Sequence, residues 1–232
     1  MSVAASAAWL SDRKVVPSLL QHRNYVKGEG RRREILQCAA KLFAERGYRG
    51  TSLRDISAQV GISHPGMLHH FTSKEKLLEA VLDIAEANRD HEFQRAGTKG
   101  REALLYLVEL LDRLEQAHQL NSLFSVLQLE SLQERHPARE RVVQRNQCVV
   151  EMISGCLGAI AAEGGLKPGV DPDCAARILL SMVDSLSVYR RLGGAVSVSQ
   201  DVREFLTMIL VEPLDEFGPT QVDGPDHQSN ER

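Results

Sequence analysis

Residues 51–76, TSLRDISAQVGISHPGMLHHFTSKEK, constrain the fold more tightly than any other stretch of the chain. Ser52 and Asp55 form an S-x-x-D signal, which offers oxygens to the free N–H groups of a helix start. Leu53, Ile56 and Val60 follow at helical spacing and predict one buried face. Gly61 can adopt the left-handed conformation that ends such a helix. Ser63 is placed to cap a second helix, with Pro65 in its first turn, where a missing N–H costs nothing. Met67 and Phe71, four apart, hold that short helix to a core. Thr72 and Glu75 repeat the capping pattern and predict a third helix opening at Ser73. Helix, glycine turn and short second helix together make a helix-turn-helix, whose second helix lies in the major groove of DNA.

With RRREILQCAAKLFAERGYRG before it, this stretch resembles the N-terminal domain of the tetracycline-repressor (TetR) family. The resemblance runs from about residue 32 to 82. It rests on I-L-x-x-A-x-x-L-F-A-E-R-G-Y, T-S-L-R-D-I-x-x-x-V-G-I-S and H-F-x-S-K-E-x-L-L, in that order. It implies a homodimer formed through the last two long helices and a small-molecule effector pocket among the middle ones. It also implies that Arg54 occupies a second-helix position able to reach DNA. Many members carry Leu-Tyr where this chain has Met67-Leu68, so a tyrosine contact typical of the family is absent here.

The net charge of −3 conceals an asymmetry. Residues 27–78 hold ten Lys and Arg against five acids, or +5, so the remainder carries −8. A basic module on an acidic body suits a polyanion partner for the module alone. The chain has 232 residues, 43% hydrophobic and 25% charged, ample for a large core. No apolar run reaches the ~20 residues of a membrane span, and the N-terminus lacks the basic start of a signal peptide. A cytoplasmic protein without membrane association is expected. Cys38, Cys148, Cys156 and Cys174 form no C-x-x-C pair and fall in helical patterns, so core packing is expected of them, with no metal site and no cofactor.

In chain order, residues 1–26 read as a disordered arm. This arm, with Lys27 and Arg31, Arg32 and Arg33, either bears basic side chains onto phosphates or is idle. Residues 27–78 read as the three-helix DNA-binding domain, 79–215 as a helical ligand-binding and dimerisation domain, and 216–232 as a disordered tail. The first helix carries Ile35, Ala39, Leu42 and Phe43 and stops at Gly47. The helix from Ser73 runs to about Phe93, and Gly97 and Gly100 mark the break into the body. Helical stripes then recur near 104–114, 123–132, 138–162, 171–192 and 202–210, with no strand alternation, so the fold class is all-α. Ala175, Leu179, Met182, Leu186 and Tyr189, with Val202, Phe205, Leu206, Ile209 and Leu210, fit either a dimer seam or internal core.

With Met67 and Phe71 turned inward, His64, Pro65, Gly66, Leu68 and His69 are free to face the groove. Gly66 permits close approach, Leu68 can touch a thymine methyl, and imidazoles can bond base edges. Thr51, Ser52, His70 and Lys74 lie at helix starts or turns suited to phosphates. Tyr106, Phe124, Met152 and Tyr189 are candidate lining residues of the implied pocket, although such residues at helical spacing are as a rule plain core. The function expected is a dimeric, effector-released repressor on a palindromic operator, with effector binding tilting the Ser73 helix. The alternatives are an all-α enzyme, for which no nucleophile–base pair or metal spacing is found, and a helical scaffold that binds no DNA.

Overall fold

The structure, a computed structural model, describes residues 27–96, 100–116 and 122–214. The expected N-terminal arm, the C-terminal tail and the Gly97 end of the expected break lie outside these residues. Nine helices occupy the described part: α1 (Lys27–Arg46), α2 (Leu53–Val60), α3 (His64–His70), α4 (Lys74–Arg95), α5 (Gly100–Gln116), α6 (Ser122–Glu130), α7 (Arg139–Ala162), α8 (Pro172–Arg191) and α9 (Val198–Ile209). Among the described residues only an isolated antiparallel bridge, Leu166 to Leu210, interrupts the all-α architecture. Among the described residues no helix is long and apolar enough to cross a membrane.

Local chemistry sets most of the boundaries. The Ser52 hydroxyl accepts from the Asp55 N–H at the start of α2, and the Asp55 carboxylate accepts in return from the Ser52 N–H. Gly61, at φ +74°, closes the helix in the left-handed conformation that glycine adopts without strain. Asp171 caps α8 through the Cys174 N–H, with Pro172 in the first turn, and Ser197 caps α9. One cap is shifted: Ser73, not Thr72, caps α4, accepting from the Lys76 N–H.

Two apolar cores result. The first joins Ile35, Phe43, Ile56, Met67, Phe71, Leu77 and Leu82 to Leu127, Ala138 and Val142 from α6 and the start of α7. The second fills the space between α5, α7, α8 and α9 with Leu104, Val108, Leu157, Ile160, Leu179 and Leu206. At the seam where α6, α7 and α8 meet lies a buried ion pair. Arg145 and Asp184 are 6% and 7% exposed, with Nη1 and Oδ2 3.5 Å apart. The Arg145 guanidinium also lies 5.0 Å over the Phe124 ring and donates to Asn146.

Packing decides one open reading and corrects one expectation. Ala175, Leu179 and Leu206 are internal core, so the stripe read as a possible seam belongs largely to the second core. Ile178, Tyr189 and Met208 on α8 and α9, and Leu192 in the turn between them, are exposed. Of the cysteines, Cys156 is buried and Cys38 half-buried, but Cys148 and Cys174 are exposed. A helical period places a residue on a face without fixing whether that face meets protein or solvent.

Candidate nucleic-acid interface

The α3 helix stands on two inward anchors, Met67, fully buried, and Phe71, 3% exposed. Its first turn is held by Ser63, whose hydroxyl accepts from the Gly66 N–H at 3.2 Å. A Cβ on residue 66 would meet that same hydroxyl at 3.2 Å, so glycine keeps both the cap and a flat approach. Pro65, Leu68 and His69 are exposed on the opposite side, with His64 and Gly66 partly so. Nδ1 of His64 is buried without a hydrogen-bond partner, which leaves Nε2 as the nitrogen able to reach a base edge. The His69 and His70 rings meet edge-on at 5.9 Å. Arg54 is exposed on α2.

Three residues expected at phosphates are engaged inside the module instead. Thr51 is 1% exposed, and its hydroxyl donates to the carbonyls of Gly47 and Leu42. Ser52 is exposed, but its hydroxyl donates to Asp55 at 2.6 Å, and these bonds hold the Asp55 carboxyl below its ordinary range. The Lys74 ammonium donates two of its three protons to the carbonyls of Tyr48 and Thr51 and lies 4.1 Å over the Tyr48 ring. It stitches the start of α4 to the turn after α1. The Tyr48 phenol completes that stitch by donating to Glu75 at 2.9 Å; burial, then this carboxylate, pushes the phenol well above its usual range.

Arg31 and Arg32, read as possible phosphate ligands, also bond within the module. Arg32 donates to the last carbonyl of α3, at His70, and stacks over Phe71 at 4.2 Å. Arg31 donates to the last carbonyl of α2, at Val60. A guanidinium at a helix C-terminus satisfies orphan carbonyls and opposes the negative end of the dipole. These two contacts link α1 to the C-termini of both helices of the DNA-reading pair.

The residues proposed to line an effector pocket do not converge. Phe124 packs against the first core, Tyr106 and Met152 against the second, and Tyr189 is 54% exposed. The Tyr106 phenol donates to Glu92 at 2.7 Å, and the Tyr189 ring lies over Gly194. None of the four lines either of two open surface depressions of about 400 and 430 Å³. Among the described residues no three His, Cys, Asp or Glu side chains cluster as metal ligands would.

Comparison with known proteins agrees with this geometry. Residues 35–81 match the profile of "Bacterial regulatory proteins, tetR family". The HTH-type transcriptional repressor KstR2 of Rhodococcus jostii is 29% identical over 185 residues, covering 78% of this chain and 90% of its own. The structure titled "ketosteroid transcriptional regulator KstR2 of Mycobacterium tuberculosis" superposes with a TM-score of 0.64 at 25% identity, over 84% of this chain and all of that one. A TetR-family regulator from Agrobacterium tumefaciens shares the fold at a TM-score of 0.70 and 21% identity, over 78% of this chain and 98% of its own. A helix-turn-helix of this geometry, a profile match on the same residues and repressors similar over most of its length together support a DNA-binding transcriptional regulator of the tetR type.

Proposed function

We propose that the protein is a homodimeric repressor that binds a palindromic operator and leaves it when a small molecule occupies the body. The observation that carries this reading is the outer face of α3, where Pro65, Leu68 and His69 project from a helix anchored by Met67 and Phe71. His64 and Gly66 complete the base-facing set, and His70 with Arg54 of α2 supplies phosphate contacts. An exposed leucine suits a thymine methyl, and imidazole nitrogens suit base-edge donors and acceptors. The apolar side chains Ile178, Leu192 and Met208 on α8, α9 and the turn between them support a dimer face, because side chains so exposed gain by burial in a partner. Effector binding shifts the population between states that hold the two α3 helices at the groove spacing and states that do not.

Selection from a pool of random duplexes tests this reading. The full-length protein is expected to enrich an inverted repeat whose half-site centres lie about 10–10.5 base pairs, or a multiple, apart. Two chains are expected per duplex. Enrichment of an asymmetric site by a single chain counts against the dimer, and no enrichment at all counts against operator recognition.

A further inference from the structure

The α6 helix ends in an acid, although a carboxylate at a helix C-terminus is opposed by the helix's own dipole. Glu130 is that residue, and its partners come from the DNA-reading module. One carboxylate oxygen accepts from the Tyr48 N–H at 2.8 Å and the other from the Arg49 N–H at 3.2 Å, contacts spanning 82 and 81 positions of sequence. Gly47 precedes those amides at φ +77°, so the turn after α1 presents consecutive N–H groups to a single anion. The fit is close: a Cβ on residue 47 would stand 2.6 Å from Glu130 Oε1.

The surroundings confirm a built seat. His136, 5% exposed, meets the Tyr48 ring edge-on at 5.3 Å, and its Nε2 lies 3.6 Å from Glu130 Oε2. Its Nδ1 accepts from the Ala138 N–H, which assigns the ring proton to Nε2, on the side of Glu130. From the module's side, Lys74 holds the Tyr48 carbonyl and Glu75 holds the Tyr48 hydroxyl. Every polar group of Tyr48 is therefore held, and Glu130 is the partner contributed by α6. The same helix places Leu127 in the first core and Gln128 against Asn146 of α7, while Phe124 lies under Arg145. It thus touches both the reading module and the polar seam of the body.

We infer that Glu130 is a positioning residue for DNA binding, the grip by which α6 sets the orientation of the reading module on the body. This rests on the repressor reading, in which the effector-free protein is the DNA-binding state. The expected coupling is a loss of affinity without loss of the module's own fold.

The test compares full-length wild type with Glu130→Ala and Glu130→Gln, using the duplex that wild type recovers from a random pool. Amide hydrogen exchange is read on the same proteins. The alanine variant is expected to lose protection at the Tyr48 and Arg49 amides and to bind the duplex about tenfold more weakly. The Met67 and Phe71 amides, bonded to the Ser63 and Met67 carbonyls, are expected to stay protected, which separates positioning from unfolding. Glutamine, keeping one acceptor oxygen, is expected to recover part of the affinity. Unchanged protection at residues 48 and 49, or affinity equal to or above wild type, overturns the inference. Should the alanine variant not fold, the same two readings on Glu130→Gln decide, with lowered values in support and unchanged values against. A wild type that recovers no duplex overturns the operator reading and this inference with it. A wild type that binds beside an unimpaired alanine variant overturns this inference alone.

Discussion

Asp184→Ala is expected to destabilise the folded protein by about 3–5 kcal/mol, read as a lowered midpoint of urea unfolding. The loss does not arise from a strong bond. Arg145 and Asp184 approach only to 3.5 Å, and Oδ1 of Asp184 has no hydrogen-bond partner. Burial raises the Asp184 carboxyl above its usual range, with Arg145 offsetting only part of that push. By linkage, a carboxyl raised on folding contributes stability fully below the unfolded value, about pH 4, and loses it as pH rises through the folded value. The ionised pair is therefore a poor stabiliser, yet removing one member strands the other charge in an apolar seam. The double replacement Arg145→Met with Asp184→Leu is accordingly expected to match wild type or exceed it by about 1–4 kcal/mol. A single variant as stable as wild type would show that water reaches this seam freely.

Met67→Ala is the second large effect. The side chain is fully buried in the first core, between the helix it anchors and those that cross it. Truncating it removes buried methylenes and leaves a cavity, which costs about 2–5 kcal/mol. A helix of only seven residues has little stability of its own, so this loss falls on α3 first. Thermal unfolding followed by circular dichroism is expected to show a lowered midpoint, with affinity lost on operator and random duplex alike. Unaltered stability would mean that α3 is held by something other than its Met67 and Phe71 face.

What the sequence made legible follows from the range of each interaction. Caps at Ser52, Ser63 and Asp171 act within three residues, so composition and spacing were enough to read them. The inward turn of Met67 and Phe71 followed from their spacing of four. The Thr72 cap failed by one residue, because Ser73 offers the same hydroxyl and Glu75 turns to Tyr48. Lys74 and Thr51 look like phosphate ligands in sequence; the carbonyls that occupy them lie 23 to 26 positions away for Lys74 and 4 to 9 for Thr51. Glu130 had no local signal at all, since both its amide partners come from another domain. The proposed pocket residues were chosen for side-chain type alone, and type does not bring side chains together: Tyr189 lies at the surface and Phe124 in a different core from Met152.

The claim that the outer face of α3 reads base edges is tested most directly by the ratio of operator to random-duplex affinity in His69→Ala. His69 is exposed and outside both cores, so the variant is expected to fold with wild-type stability. Its affinity for the selected operator is expected to fall by about 1–3 kcal/mol, with much less change on random DNA, so the ratio collapses toward one. The slope of log affinity against log salt is expected to stay near the wild-type value, because a contact to a base edge neutralises no phosphate and so releases no counterion. A variant that loses affinity equally on both duplexes, with a slope reduced by about one, would place His69 at a phosphate and contradict the base-reading face described for α3.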